Sequence, residues 1–350
     1  MKRWKMLTAA VLAAMVTAAV PQVAAASSVT EKLLYGAAAM LYVSKYYSEL
    51  DDRGQSQFLS DCQQETGVYE DAEADSRVQN IYNSLKETGD IKRDYTVYVA
   101  PSDEINAFMS LGGVMCVNKG SLDAFDDDEL AYVMAHELAH GEKRHSVSGI
   151  KKQVGLTTAL NIYLADDPTI GSVLLANIAG NYIANAVFTK DQEKEADDIG
   201  FDYFVDAGYN PGGAAASMAV LRNKYGESAP SGIKAVLAPG NHPATTDRIN
   251  KNIKRMYEYS GKHVNVKDGT VVVNGVKTFS PEALGHYTAE ERLYLTAGKL
   301  AKLYHDGRIG GASFDGSSIM ISGQSIYTVQ SGEDGEALAA SLNQGISKEQ

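Results

Sequence analysis

The stretch VMAHELAHGEKRH, residues 133–145, places two histidines four apart with a glutamate directly after the first. On an α-helix residues i and i+4 share a face, so His136 and His140 can aim two ring nitrogens at one point while Glu137 flanks it. The competing reading is an ordinary buried helix that contains two core histidines. A helix is favoured either way: in FDDDELAYVMAHELAHGEKRH, Asp126 is a capping residue, Glu129 follows three positions later, and Leu130, Val133 and Met134 form an apolar stripe.

Upstream, DAEADSRVQNIYNSLKE (71–87) repeats the helical habit with Val78, Ile81, Tyr82 and Leu85 on one face, and the text from Glu31 to Leu50 has similar spacing. DYTVYVAP alternates as a strand does, GGVMCVNKG is a second short strand opened by Gly112 and Gly113, and INAFMSL between them is extended or looped. Downstream, KDQEKEADDIGFDYFVDAGYNPGG is a helix closed by Gly208 and the Asn210-Pro211-Gly212 breaker. From about Gly261 the chain turns strand-rich, and VKDGTVVVNGVKTF (266–279) loosely resembles SFDGSSIMISGQSIYTV (313–329), each followed by a helical piece. The expectation is an α+β protein: a mostly helical domain with a small sheet over 27–260, then a small α+β domain of two hairpin-plus-helix units over 261–350.

The 32 basic and 44 acidic residues give a net charge of −12, which repels polyanions and argues against a nucleic-acid partner. Residues 1–26 have a basic start, an apolar middle and a small-residue end at Ala24 and Ala26, the pattern of a signal peptide. Cleavage after Ala26 removes three basic residues and no acid, taking the net charge from −12 to −15. The expected location is therefore outside the cytoplasm, in a periplasm or cell envelope. Residues 170–188 are nearly all apolar, but Asn177, Asn181 and Asn185 recur every fourth position and set a polar stripe on that helix. The stripe favours a buried or docked helix, with shallow membrane contact as the weaker alternative. Cys62 and Cys116 are the only cysteines, and an exported chain with an even count is compatible with a bridge or with two buried thiols.

Two helical histidines with a neighbouring glutamate form the HExxH arrangement, in which the carboxylate takes a proton from a zinc-polarised water that attacks a peptide carbonyl. A catalytic zinc takes three protein ligands and keeps a fourth place for water, so another element should supply one more donor. EKEAD offers Glu193, Glu195 and Asp197: one carboxylate for the metal and one as acceptor for a ligand histidine, or else a solvated acidic face.

Five ordered blocks between about residues 65 and 257 carry a more specific likeness: NAFMSLGGVMCVNKG, ELAYVMAHELAHGEKRHS, EKEADDIG, AGYNP and HPATTDRI. Together they resemble the gluzincin metallopeptidases of peptidase family M48, which include the CAAX prenyl proteases, HtpX and exported BepA-like proteases. The resemblance implies a zincin-type fold and one Zn2+ per chain on His136, His140 and Glu193, with Glu137 as base and Asp197 behind the ligands. It selects Glu193 over Glu195 by the family's four-residue spacing from ligand to aspartate. It also implies that His242 and Arg248 face the active centre, where a donor or cation can stabilise an oxyanion; in some relatives the histidine instead plugs the zinc. Asn106, Ala107, Gly112 and Gly113 would belong to a substrate-binding edge strand, although Leu111 stands where the family usually has proline. Arg144 and His145 also match the family, and nothing in their spacing makes them ligands. The implied activity is proteolysis of unfolded or unassembled envelope proteins. The competing class is a chaperone-like binding module with a structural or vestigial zinc, for which Glu137 would have no use.

Overall fold

The computed structural model describes residues 41, 44, 45, 47–149, 151–152, 188–227 and 245–348. The expected signal peptide, the apolar stretch 170–187, most of the expected first helix and His242 lie outside those residues. Among the described residues no helix is long and apolar enough to cross a membrane.

Helices and small three-stranded sheets alternate along the chain, an α+β arrangement. In the first sheet, β1 (Thr96–Ala100) runs parallel to β3 (Val114–Asn118), and β2 (Ala107–Ser110) runs antiparallel to β3 at the edge. Successive strand residues face opposite sides. Val97, Val99, Met109, Met115 and Val117 therefore join the main apolar core. Tyr98, Phe108 and Cys116 point the other way, toward α1 (Gln55–Thr66), where the Tyr98 hydroxyl lies 2.8 Å from Thr66 Oγ1. Cys62 of α1 and Cys116 are both free thiols, and burial pushes the Cys116 thiol up to about 12.

On the core side α2 (Ala72–Glu87) begins at Asp71, whose carboxylate accepts the Glu73 and Ala74 amides, and it buries Val78, Ile81, Tyr82 and Leu85. After the short α3 (Lys119–Ala124), α4 (Asp127–Glu142) opens with the expected capping box between Asp126 and Glu129. Packed across it is α5 (Lys190–Asp206), begun by a second capping box between Thr189 and Gln192. The two helices touch backbone to backbone at Gly200, where a Cβ would fall 2.9 Å from His136 N and Cα. Only a residue without a side chain permits that approach. Since Glu193, Asp197 and Gly200 fall at i, i+4 and i+7, they share the face of α5 that meets α4.

Then α6 (Gly213–Tyr225) and α7 (Thr245–Tyr259) complete the helical layer. The strand-rich remainder comprises β4 (Val264–Lys267), β5 (Thr270–Val273), β6 (Val276–Lys277) and α8 (Ala289–His305), followed by β7 (Ala312–Phe314), β8 (Ser318–Ile321), β9 (Gln324–Thr328) and α9 (Gly335–Ile346). Both sheets are antiparallel meanders with tight turns at Asp268-Gly269, Asn274-Gly275 and Ser322-Gly323, all with positive φ as the favoured hairpin turns require. The boundary expected near residue 260 marks a change of secondary structure while the apolar core runs across it: one cluster extends from Leu130 and Met134 through Met218 and Met256 to Val271, Leu300 and Leu342. Asn210 of the GYNP breaker sits at the junction, donating from its amide to Asp128 Oδ1 of α4 (2.9 Å) and from Nδ2 to the Leu295 carbonyl of α8 (3.1 Å).

Candidate metal centre

Where α4 and α5 cross, His136, His140 and Glu193 converge in the interior, each less than a twentieth exposed. The Nε2 atoms of the two histidines lie 3.1 Å apart, and each is 3.6 Å from a different carboxylate oxygen of Glu193. Ligands about 2.0–2.1 Å from a tetrahedral zinc stand roughly 3.3–3.4 Å from one another. The donor atoms of the three residues lie within 4.8 Å of one another, a cluster of two imidazoles and one carboxylate of the kind that holds a zinc ion with a fourth position left for water.

Behind His136, Nδ1 lies 3.0 Å from Asp197 Oδ1. Asp197 in turn accepts from Arg248 Nε (3.0 Å) and Nη2 (2.6 Å) and from the Tyr132 hydroxyl (3.2 Å). Burial alone would raise the Asp197 carboxyl, but the Arg248 charge and the His136 hydrogen bond outweigh it and hold the group far below the usual range. At His136 burial opposes the charged ring, and the Asp197 and Glu193 carboxylates overcome it, lifting the imidazole to about 9. The negative surroundings that favour a charged ring would equally favour a bound cation.

His140 is held differently. Its Nδ1 is 2.8 Å from Nδ1 of His145, whose Nε2 is 3.1 Å from Glu195 Oε2, and Lys143 Nζ lies 2.6 Å from Glu195 Oε1. Phe188 stacks on the His140 ring with centroids 3.8 Å apart. Just past the end of α4, Arg144 adopts φ 51, a left-handed conformation that turns the chain and lets His145 fold back against His140. Arg144 is pinned there by Asp52, 2.5 Å away.

Glu137 is buried, and its Oε2 accepts the Met109 amide of β2 at 2.9 Å. Burial pushes its carboxyl up to about 7. Because β2 is an edge strand, that amide points away from β3 and toward the cleft. Asn106, Ala107, Val133, His136, Glu137 and Met218 are among the cleft's lining residues.

The structure therefore brings together His136, Glu137, His140, Glu193, Asp197 and Arg248, with Asn106 and Ala107 at the cleft. Gly112 and Gly113, expected on the substrate edge, stand elsewhere. With φ 74 and 72 they turn the chain from β2 into β3, packed against Phe58, Gln55 and Tyr95, and the Gly112 amide donates to Asp51 Oδ1 at 2.9 Å. Arg248 lines the cleft, as expected, and donates from Nε and Nη2 to Asp197. Tyr132, Met109 and His145 contribute to the site without having been singled out as functional. For His145 the signals were its match to the family pattern and its place five residues after His140.

The chain belongs to peptidase family M48, whose description matches residues 72–256, just over half of the 350 residues. It is similar to the metalloprotease LoiP of Escherichia coli, with 31% identity over 166 residues, 47% of this chain and 62% of that protein. The metalloprotease YcaL of the same organism is 28% identical over 158 residues, 44% of this chain and 59% of that protein. Its beta-barrel assembly-enhancing protease is 30% identical over 131 residues, 35% of this chain and 27% of that protein. The chain thus spans less than two thirds of the length of each of these relatives.

Proposed function

We propose that this chain is a zinc-dependent endopeptidase, one ion per chain, with Glu137 as its base. The observation that carries the reading is the convergence of His136, His140 and Glu193, with donor atoms within 4.8 Å of one another, beside a buried carboxylate and a cleft. A purely structural zinc is closed by four protein ligands and has no use for a neighbouring base. A zinc ion on these three donors supplies Lewis acidity that makes water nucleophilic near neutral pH.

The protein's own groups supply the rest. Glu137, a buried carboxylate beside the three donors, can take a proton from the attacking water and pass it to the leaving amine. The Met109 amide fixes one of its oxygens and leaves the other for proton transfer. An extended substrate can add itself to the outer edge of β2 beginning at Asn106 and Ala107, gaining backbone hydrogen bonds. Arg248 orients Asp197, which in turn orients His136.

For substrates we infer unfolded or unassembled proteins of the cell envelope. The support is the leader-like residues 1–26 and kinship with a protein named for enhancing beta-barrel assembly.

Cleavage of casein by the wild type and by Glu137→Gln tests the reading. The variant should retain one zinc per chain while its rate falls by about 10²–10⁴-fold, and a chelator should silence the wild type. Equal rates in the two proteins would remove the enzyme claim and leave the binding module.

A further inference from the structure

A line of polar side chains leads from His140 to the surface, and the proteolytic reading makes no use of it. We infer that His145 and Glu195 are positioning residues that fix the tautomer and ring orientation of His140 for the metal. This inference rests on the metal reading proposed above.

The argument is one of proton placement. To offer the Nε2 lone pair to an ion, a neutral His140 must carry its proton on Nδ1. The acceptor for that proton is His145 Nδ1, 2.8 Å away. That atom accepts only if His145 carries its own proton on Nε2, 3.1 Å from Glu195 Oε2, where a carboxylate can only accept. The line therefore has one consistent reading: His140 Nδ1–H donates to His145, and His145 Nε2–H donates to Glu195. Reversing the first bond fails twice, because it puts a proton on the metal-facing nitrogen of His140 and turns a bare nitrogen of His145 toward a carboxylate.

The geometry around the line holds it in register. Lys143, 2.6 Å from Glu195, keeps the carboxylate in place. The His145 carbonyl accepts from Ser148 Oγ (3.0 Å) and from Gln192 Nε2 (3.2 Å) of α5, the helix that carries Glu193. Phe188 presses on the face of His140 but cannot choose between its tautomers. His145 is itself 3% exposed, so its ring is committed to the interior.

The test measures zinc affinity by competition with a chromophoric chelator, together with nitrogen-resolved imidazole proton spectra. His145→Phe keeps the volume and removes the acceptor. It should weaken zinc binding by about 10–100-fold and erase the hydrogen-bonded Nδ1 proton of His140. Glu195→Ala, at a side chain 44% exposed and so without risk to folding, should weaken binding by about tenfold. Glu195→Gln, which keeps an acceptor oxygen, should recover most of that loss. Folded His145→Phe that binds zinc like the wild type overturns the inference alone. If His145→Phe does not fold, unchanged affinity in Glu195→Ala overturns it instead. A wild-type protein that takes up no zinc overturns this inference and the metal reading together.

Discussion

Asp197, behind His136, is 1% exposed and is clamped by a buried guanidinium and a buried phenol. Glu195, at the far end of the line behind His140, is 44% exposed and meets an equally exposed lysine. One ligand is thus backed by charges removed from water, the other by a neutral ring whose anchoring charge stays in water. The energetic consequences differ in kind. A desolvated ion pair is worth little against a hydrophobic replacement, yet breaking it strands a charge in the interior. A solvated pair is screened and contributes modestly, so it can orient a group without deciding whether the protein folds.

The strongest blow to this contrast is Asp197→Ala, which leaves Arg248 buried without its carboxylate. Denaturant unfolding should show a loss of about 3–5 kcal/mol, with zinc lost alongside. A near-neutral result would mean that the inner support is no more demanding than the outer one.

Acid provides an intermediate test. Both carboxyls are lowered: Glu195 first by its hydrogen bond from Lys143, and Asp197 by Arg248 and His136 against the opposing effect of burial. A depressed folded value means that the stabilisation is complete above the unfolded value, about 4 for these groups, and is lost as pH falls through the folded one. Asp197 lies far lower, so the inner support should outlast the outer. The melting deficit of Glu195→Gln relative to wild type should begin to close once pH falls below about 4, while that of Asp197→Asn should persist to lower pH. Both deficits closing together would put the two carboxylates in one environment.

Lys143→Met should give the smallest effect, a change in zinc affinity of about threefold or less that vanishes in roughly 0.5 M salt. A larger, salt-independent loss in the same chelator competition would show that the outer line behaves as if buried.

Much of this site is legible in the sequence. The i, i+4 spacing of His136 and His140 follows from helix geometry, and the Asp126–Glu129 pair marks where that helix starts. The alternation in TVYVA and the short apolar run after Gly112 and Gly113 foretell strands, although the parallel pairing of β1 with β3 depends on contacts that no local pattern encodes. EKEAD was ambiguous by itself. Glu193 and Glu195 are two residues apart and so face nearly opposite sides of α5, and only the placement of α4 decides which one looks inward. The role of His145 was least legible, because it depends on a left-handed turn at Arg144 held by Asp52, about ninety residues earlier in the chain. The contacts that cross residue 260 were equally hidden: the change from helix to hairpin is legible, but not that Asn210 ties α4 to α8.

At Gly200 a hydrogen atom is all that separates the backbones of α4 and α5. The pocket for an ion is consequently gauged by main-chain contact, like a socket machined before its pin is inserted. Loading would then cross-link two rods already seated against each other, and the reward goes to tightness of grip instead of being consumed in drawing the rods together. A lone methyl at this position would act as a wedge, opening the socket at its rim while every ligand remained in the chain.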